Sequence, residues 1–172
     1  NEGMIVVSFN YRLGALGFYN GEGAEENQIR NFAMMDMVKA LEWVNQNIEG
    51  FGGSTDNITI GGNSAGGMGV MLMMLSPDAR QLFHRAIAQA QYSSWPFPNL
   101  DEQRRNLAHA DLEEIVAATP NYQLPYIGGA LLPTQPSIMF QEGSHAPVPL
   151  LTGANSYDGY GVLYRAGYTP ER

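Results

Sequence analysis

Asn57-Ile58-Thr59-Ile60-Gly61-Gly62-Asn63-Ser64-Ala65-Gly66-Gly67 is the stretch whose reading decides the fold. The β-branched run over residues 57–61 predicts a strand, and the compact apolar run Ala65 to Leu75 predicts a helix, stopped at Ser76-Pro77 because proline cannot continue it. Between them lies Gly62-Asn63-Ser64-Ala65-Gly66, a Gly-x-Ser-x-Gly pattern. With glycine at 20 of 172 positions, composition alone produces such a match somewhere with odds of roughly one in ten, so the pattern by itself is weak. Its setting strengthens it. A serine on a strained turn from strand to helix is the arrangement of a nucleophile elbow, and small residues at positions 62 and 66 let strand and helix backbones approach.

In that geometry Ser64 Oγ stands at the N-terminus of the following helix. The positive dipole end and unpaired N–H groups there favour a developing oxyanion, and the Ala65 N–H is the first such donor. The competing reading makes Ser64 a helix cap in an ordinary Gly-Ser turn. A phosphate cradle fits poorly, since no Lys-Ser/Thr follows the glycines and no complete GxGxxG is present.

Outward from this junction, Met4 to Phe9 is a continuous apolar run, expected of a strand covered on both faces of a parallel sheet. A Gly-rich loop is expected to about Gly23. Met34, Val38, Leu41, Val44 and Ile48 recur at helical spacing, predicting a helix from Asn27 to Asn47 that Glu49-Gly50-Phe51-Gly52-Gly53 terminates. Further strands are expected at Arg85 to Ala90 and Val148 to Thr152, with a helix from Asp101 to Ala118. The stretch Thr119 to Pro147 carries five prolines and little periodicity, and reads as a long surface connection. Strands alternating with helices imply an α/β fold with a mostly parallel sheet and flanking helices, in a single domain over residues 1–172. The working residues of such sheets gather at the carboxyl ends of the strands.

Composition bounds the partners. The 9 basic and 17 acidic residues leave a formal charge of −8, which disfavours nucleic acid and anionic membrane surfaces. Absence of cysteine excludes disulfides, thiolate metal sites and a cysteine nucleophile. No apolar run approaches the ~20 residues of a membrane span. Asn1 to Phe9 lacks the basic and apolar regions of a signal peptide and reads as a strand entered almost at once, as in a chain cut from something longer. Localisation stays open.

With these residues in view, the chain resembles the type B carboxylesterase and cholinesterase-like family of α/β-hydrolases. Val7 to Phe18 is similar to that family's strand and NYRxGxxGF segment. Asn31 to Asp36 with Ala40-Leu41-Glu42-Trp43-Val44 resembles its NxxLxD and ALxWV helix. Phe51-Gly52-Gly53, then Ile58 to Gly67, resembles its elbow, and Leu82 to Ile87 and Val148 to Gly153 resemble its later strands. The resemblance implies a central portion of an α/β-hydrolase domain that hydrolyses carboxylic esters, acts on a small-molecule ester and needs no metal or organic cofactor. It implies Ser64 as nucleophile, Ala65 as oxyanion donor and Asp158 as the acidic triad member, where the family commonly has Glu; a loop acid capping a following helix is the other reading of Asp158. Asn63 stands where Glu is usual. Arg12 and Asp36 are expected to form a buried supporting ion pair. The family's glycine-rich oxyanion loop belongs before residue 1 and its catalytic histidine well after Asp158, and none of His84, His109 and His145 matches that histidine's position. Tyr92 to Phe97 is an aromatic loop that either lines a pocket or packs. The alternatives are a catalytically inactive esterase-like protein-binding domain and a lipase of the same family.

Overall fold

The computed structural model describes residues 3–18, 20, 29–91, 96–99, 101, 113–114 and 124–155. Three parallel strands, β1 (Thr59–Asn63), β2 (Arg85–Gln89) and β3 (Leu150–Gly153), form one sheet in that order. The register pairs Thr59 with Arg85 and Asn63 with Gln89, then Ala86 with Leu150 and Gln89 with Gly153, so all three carboxyl ends lie at one end of the sheet. The helices among the described residues are α1 (Gly14–Phe18), α2 (Phe32–Asn47), which runs into a 3₁₀ turn at Ile48–Phe51, α3 (Ala65–Leu75) and α4 (Pro136–Gln141).

α3 is the centre of the molecule. Every residue from Gly67 to Leu75 is buried, the pattern of a helix apolar all round and enclosed on all sides. It packs on β1 and β2, and α2 and α4 pack on it in turn. Met34, Leu72, Met74, Leu75 and Leu132 are among the largest side chains that are fully buried.

The structure corrects the sequence reading in four places. Met4 to Phe9 is extended but enters no ladder, and every residue from 3 to 10 is exposed. An apolar run specifies burial, not a hydrogen-bonding partner, and no described strand edge lies beside this one. The loop expected after it holds α1 instead; Gly17 is there for close packing, because a Cβ on it would lie 2.5 Å from the Arg12 carbonyl oxygen. The predicted strand at 57–61 is displaced to 59–63. Ile58 already gives its carbonyl to the amides of His84 and Arg85, and pairing with β2 carries the strand on through Gly62 and Asn63. Finally, Thr119 to Pro147 is not a purely surface connection. Pro125, Tyr126, Leu131, Leu132, Pro136, Met139 and Ala146 are buried, and α4 lies within it. Of the helix expected over Asp101 to Ala118, only residues 101, 113 and 114 are described.

Candidate active site

Ser64 is the single residue between β1 and α3, exposed at the carboxyl end of the sheet. Its backbone sits at φ 56°, ψ −118°, outside the regions open to L-residues without strain. The conformation is locked from both sides. The Ser64 N–H donates to the Gln89 carbonyl at 2.9 Å, tying the turn to the end of β2, while the Ser64 carbonyl accepts from the Met68 N–H at 2.9 Å to begin α3. The Ser64 side chain makes no capping hydrogen bond, so the reading of this serine as a helix cap fails.

The neighbouring glycines explain how strand and helix come so close. A Cβ on Gly62 would lie 2.3 Å from both C and O of Gly66, which no side chain can tolerate. A Cβ on Gly66 would meet nothing within 4 Å, so the approach is made by Gly62 against the Gly66 backbone and not the reverse. Gly67 is a second steric requirement that the motif alone does not reveal: its Cβ would lie 2.5 Å from the Gln89 carbonyl oxygen. The repeated glycine at 66–67 was the available signal. The Ala65 N–H, at the start of α3, makes no hydrogen bond to another described residue and stands next to the serine.

The histidines are placed away from this centre. His84 accepts from the Ile58 N–H through Nδ1 at 3.3 Å, at the amino end of β1. Six residues of strand separate that end from Ser64, roughly 20 Å. His145 stacks against Phe140 at 5.4 Å between ring centroids, beside Ala146, whose N–H bonds the Met74 carbonyl near the far end of α3. Ten helical residues separate Met74 from Ser64, about 15 Å. His109 and Asp158 lie outside the described residues, as does most of Tyr92 to Phe97. β3 ends at Gly153, whose carbonyl accepts from the Ala90 N–H at 2.8 Å, so the chain leaves β3 at the same end of the sheet as Ser64.

Arg12 and Asp36 do pair, at 2.6 Å between Nη2 and Oδ1, with Nε and the Arg12 N–H also bonding Oδ2. The pair is not buried as expected: the Arg12 side chain is 48% exposed, its guanidinium lying over the Phe32 ring. The guanidinium's hydrogen bonds hold the Asp36 carboxyl below the usual carboxylate range. A tie that periodicity did not signal is Asn31, buried and left-handed at φ 31°, whose side-chain amide donates to the Tyr126 carbonyl and accepts from its N–H, both at 2.8 Å. Among the described residues no three His, Cys, Asp or Glu side chains gather to hold a metal, and no helix is long and apolar enough to cross a membrane.

The model of the Carboxylesterase family matches residues 1–111. The chain belongs to that family. It is 31% identical to the para-nitrobenzyl esterase of Bacillus subtilis over 184 residues, covering 91% of this chain and 38% of that protein. To the acetylcholinesterase of Danio rerio it is 32% identical over 201 residues, covering 96% of this chain and 31% of that one. A solved PNB esterase structure superposes with a TM-score of 0.69 at 28% identity, covering 95% of this chain and 40% of its own. The fold is therefore of the α/β-hydrolase type, and this carboxylesterase-family chain spans less than half the length of these relatives.

Proposed function

We propose that residues 1–172 are part of a single α/β-hydrolase domain and carry the nucleophile of a carboxylic ester hydrolase, with Ser64 as that nucleophile. The observation that carries the reading is the backbone of Ser64: a serine held at positive φ between β1 and α3, exposed, with its hydroxyl free of any capping role. Such strain persists only where surrounding structure enforces it, and it clusters at functional sites.

In the proposed reaction Ser64 Oγ attacks the carbonyl carbon of a small-molecule ester while a histidine base takes its proton. The tetrahedral oxyanion that forms is stabilised by the Ala65 N–H. Collapse of the intermediate expels the alcohol, which leaves with the histidine's proton, and water then hydrolyses the acyl-serine by the same steps. The base is a histidine other than His84 and His145, given their distance from Ser64. Asp158 orients it: the chain leaves β3 at the elbow's end of the sheet, and five residues beyond Gly153 reach at most ~18 Å, enough to return beside the site. No metal or organic cofactor takes part.

The test is labelling by a fluorophosphonate of a full-length protein that carries these residues, followed by peptide mass mapping. The expected adduct is on Ser64, with hydrolysis of a p-nitrophenyl ester abolished in Ser64→Ala. An adduct on another serine, or full hydrolysis in Ser64→Ala, refutes the assignment. In the same protein Asp158→Asn should lower kcat by about 10⁴, because an amide selects the wrong histidine tautomer. An Asp158→Asn enzyme with normal turnover would place the acid elsewhere.

A further inference from the structure

Three runs of the chain, residues 57–77, 86–100 and 143–157, carry no Asp, Glu, Lys or Arg, although 15% of the chain is charged. They are the runs that hold Ser64 and the carboxyl ends of β1, β2 and β3. What stands at those ends instead is carboxamide: Asn63 closes β1, Gln89 closes β2, Gln91 follows two residues on, and Asn155 lies two residues beyond β3. Asn63, the residue before Ser64, is the register partner of Gln89, and both are exposed, so their side chains leave the sheet side by side on one face. Gln91 is brought to the α3 side of Ser64 by a strained turn. Ala90 sits at φ 50°, held by its N–H on the Gly153 carbonyl at 2.8 Å, while the Gln89 carbonyl takes the Ser64 N–H. The turn sets the Gln91 Cβ against the first turn of α3, 3.3 Å from where a Cβ on Gly67 would lie. An alanine at positive φ costs free energy, and what this one achieves is the placement of the next residue.

We propose that Asn63 and Gln91 determine specificity in the ester hydrolysis proposed above, on which this inference rests, and that they select esters bearing a neutral hydrogen-bonding group, a hydroxyl or an amide, a few bonds from the scissile carbonyl. Each carboxamide offers two N–H donors and one carbonyl acceptor, so the pair meets donor and acceptor alike but compensates neither sign of charge. A cationic or anionic group brought to this end of the sheet gives up water and gains no counter-charge from any of the three runs. His145, the one histidine within them, lies near the far end of α3. A purely hydrocarbon group is disfavoured for a different reason: it displaces water from Asn63 and Gln91 without replacing the hydrogen bonds that water made. A neutral polar group meets neither cost.

The experiment uses a full-length protein that carries residues 1–172 and a set of acetate esters of similar size. Their alcohols are N-acetylethanolamine, a neutral amide; choline, a cation; isethionate, an anion; and 3,3-dimethylbutanol, which is apolar. Released acid is followed at constant pH, and fluorophosphonate labelling of Ser64 counts the competent sites in each preparation. The parent should hydrolyse the amide ester with kcat/KM at least about tenfold above both charged esters. Gln91→Leu should lower the ratio of amide to dimethylbutyl ester about tenfold. Asn63→Asp should raise the ratio of choline to amide ester about tenfold, because it places a negative charge beside the serine. Ratios taken per labelled site do not depend on how much of a variant folds, and Gln91→Glu, of the same size as the parent residue, gives a second measure at position 91 by favouring the choline ester in the same way. A parent that prefers the choline or the isethionate ester overturns the proposal, as do ratios left unchanged in the Gln91 and Asn63 variants. Labelling at a different serine overturns the esterase reading and this inference with it, whereas a labelled Ser64 with unselective turnover overturns this inference alone.

Discussion

The two glycines that bracket Ser64, at positions 62 and 66, should respond oppositely to the same substitution. In Gly62→Ala the new Cβ would sit 2.3 Å from the Gly66 carbonyl carbon and oxygen and 2.9 Å from its Cα. These are backbone atoms of a helix whose next nine residues are buried, so no side-chain rotation relieves the clash. Restoring ordinary contact requires strand and helix to separate by roughly 1 Å, and overpacking that displaces backbone costs about 3 kcal/mol. For a chain of this size that is roughly 6–12 °C in Tm. In Gly66→Ala the Cβ enters open space at a helical position, and removing a glycine from a helix gains up to about 1 kcal/mol, or roughly 2–4 °C. Thermal denaturation followed by circular dichroism measures both. Equal destabilisation of the two variants, or a Gly62→Ala protein as stable as the parent, would show that the close approach at the elbow does not carry the load assigned to it.

Ser64→Gly should be more stable than Ser64→Ala by about 1 kcal/mol in the same assay, because glycine relieves the positive φ that alanine retains and loses only part of that gain to unfolded-state entropy; equal stabilities would mean the turn is not strained. Asn31→Ala should cost about 3 kcal/mol by chemical denaturation, since it removes both bonds to the Tyr126 backbone and leaves alanine at φ 31°; a loss under 1 kcal/mol would refute that tie. For Asp36 the sign follows from its depressed pKa: the pair stabilises the fold above the ordinary carboxylate value of 3.8, and that stabilisation is lost as pH falls through the lower folded value. Asp36→Asn should therefore be less stable than the parent at pH 7, with the difference vanishing in strong acid; a gap that widens on acidification would contradict it.

What the sequence made legible was whatever is decided locally. α3 was bounded to the residue, Ala65 to Leu75, because the elbow fixes one end and Ser76-Pro77 the other. α2 was right at Asn47 but began at Phe32 instead of Asn27. Its start is set by Asn31, and Asn31 turns left-handed to grip Tyr126, ninety-five residues away, with no local capping signal. The same distance in sequence hid the buried half of Thr119 to Pro147: proline content and missing periodicity describe the local chain, whereas Leu132 and Ala146 are buried by elements that fold from elsewhere. Within the candidate site, the place of Ser64 between strand and helix and the need for a small residue at 62 could be read directly. The need at 67 was hinted at only by the repeated glycine, because its cause is the Gln89 carbonyl of a neighbouring strand. The Arg12–Asp36 partnership was legible as charge complementarity, but its exposure depends on what surrounds it.

The turn at Ser64 is thus three local conflicts that serve one geometry. Positions 62 and 67 forbid a side chain because backbone atoms lie within 2.5 Å of where a Cβ would be, and position 64 holds a serine where glycine would be at ease. Left alone, each conflict would relax by a small rotation of α3 away from the sheet. The helix cannot rotate, because its body is enclosed on every side and Leu72, Met74 and Leu75 are buried to 1% exposure or less. Burial along nine residues of α3 therefore sustains about 1–3 kcal/mol of strain at its first turn. That coupling is what keeps a serine hydroxyl clear of the cap position it would otherwise take and directs it outward at the carboxyl end of the sheet. In this chain the core's packing and the exposure of Ser64 are consequences of the same helix.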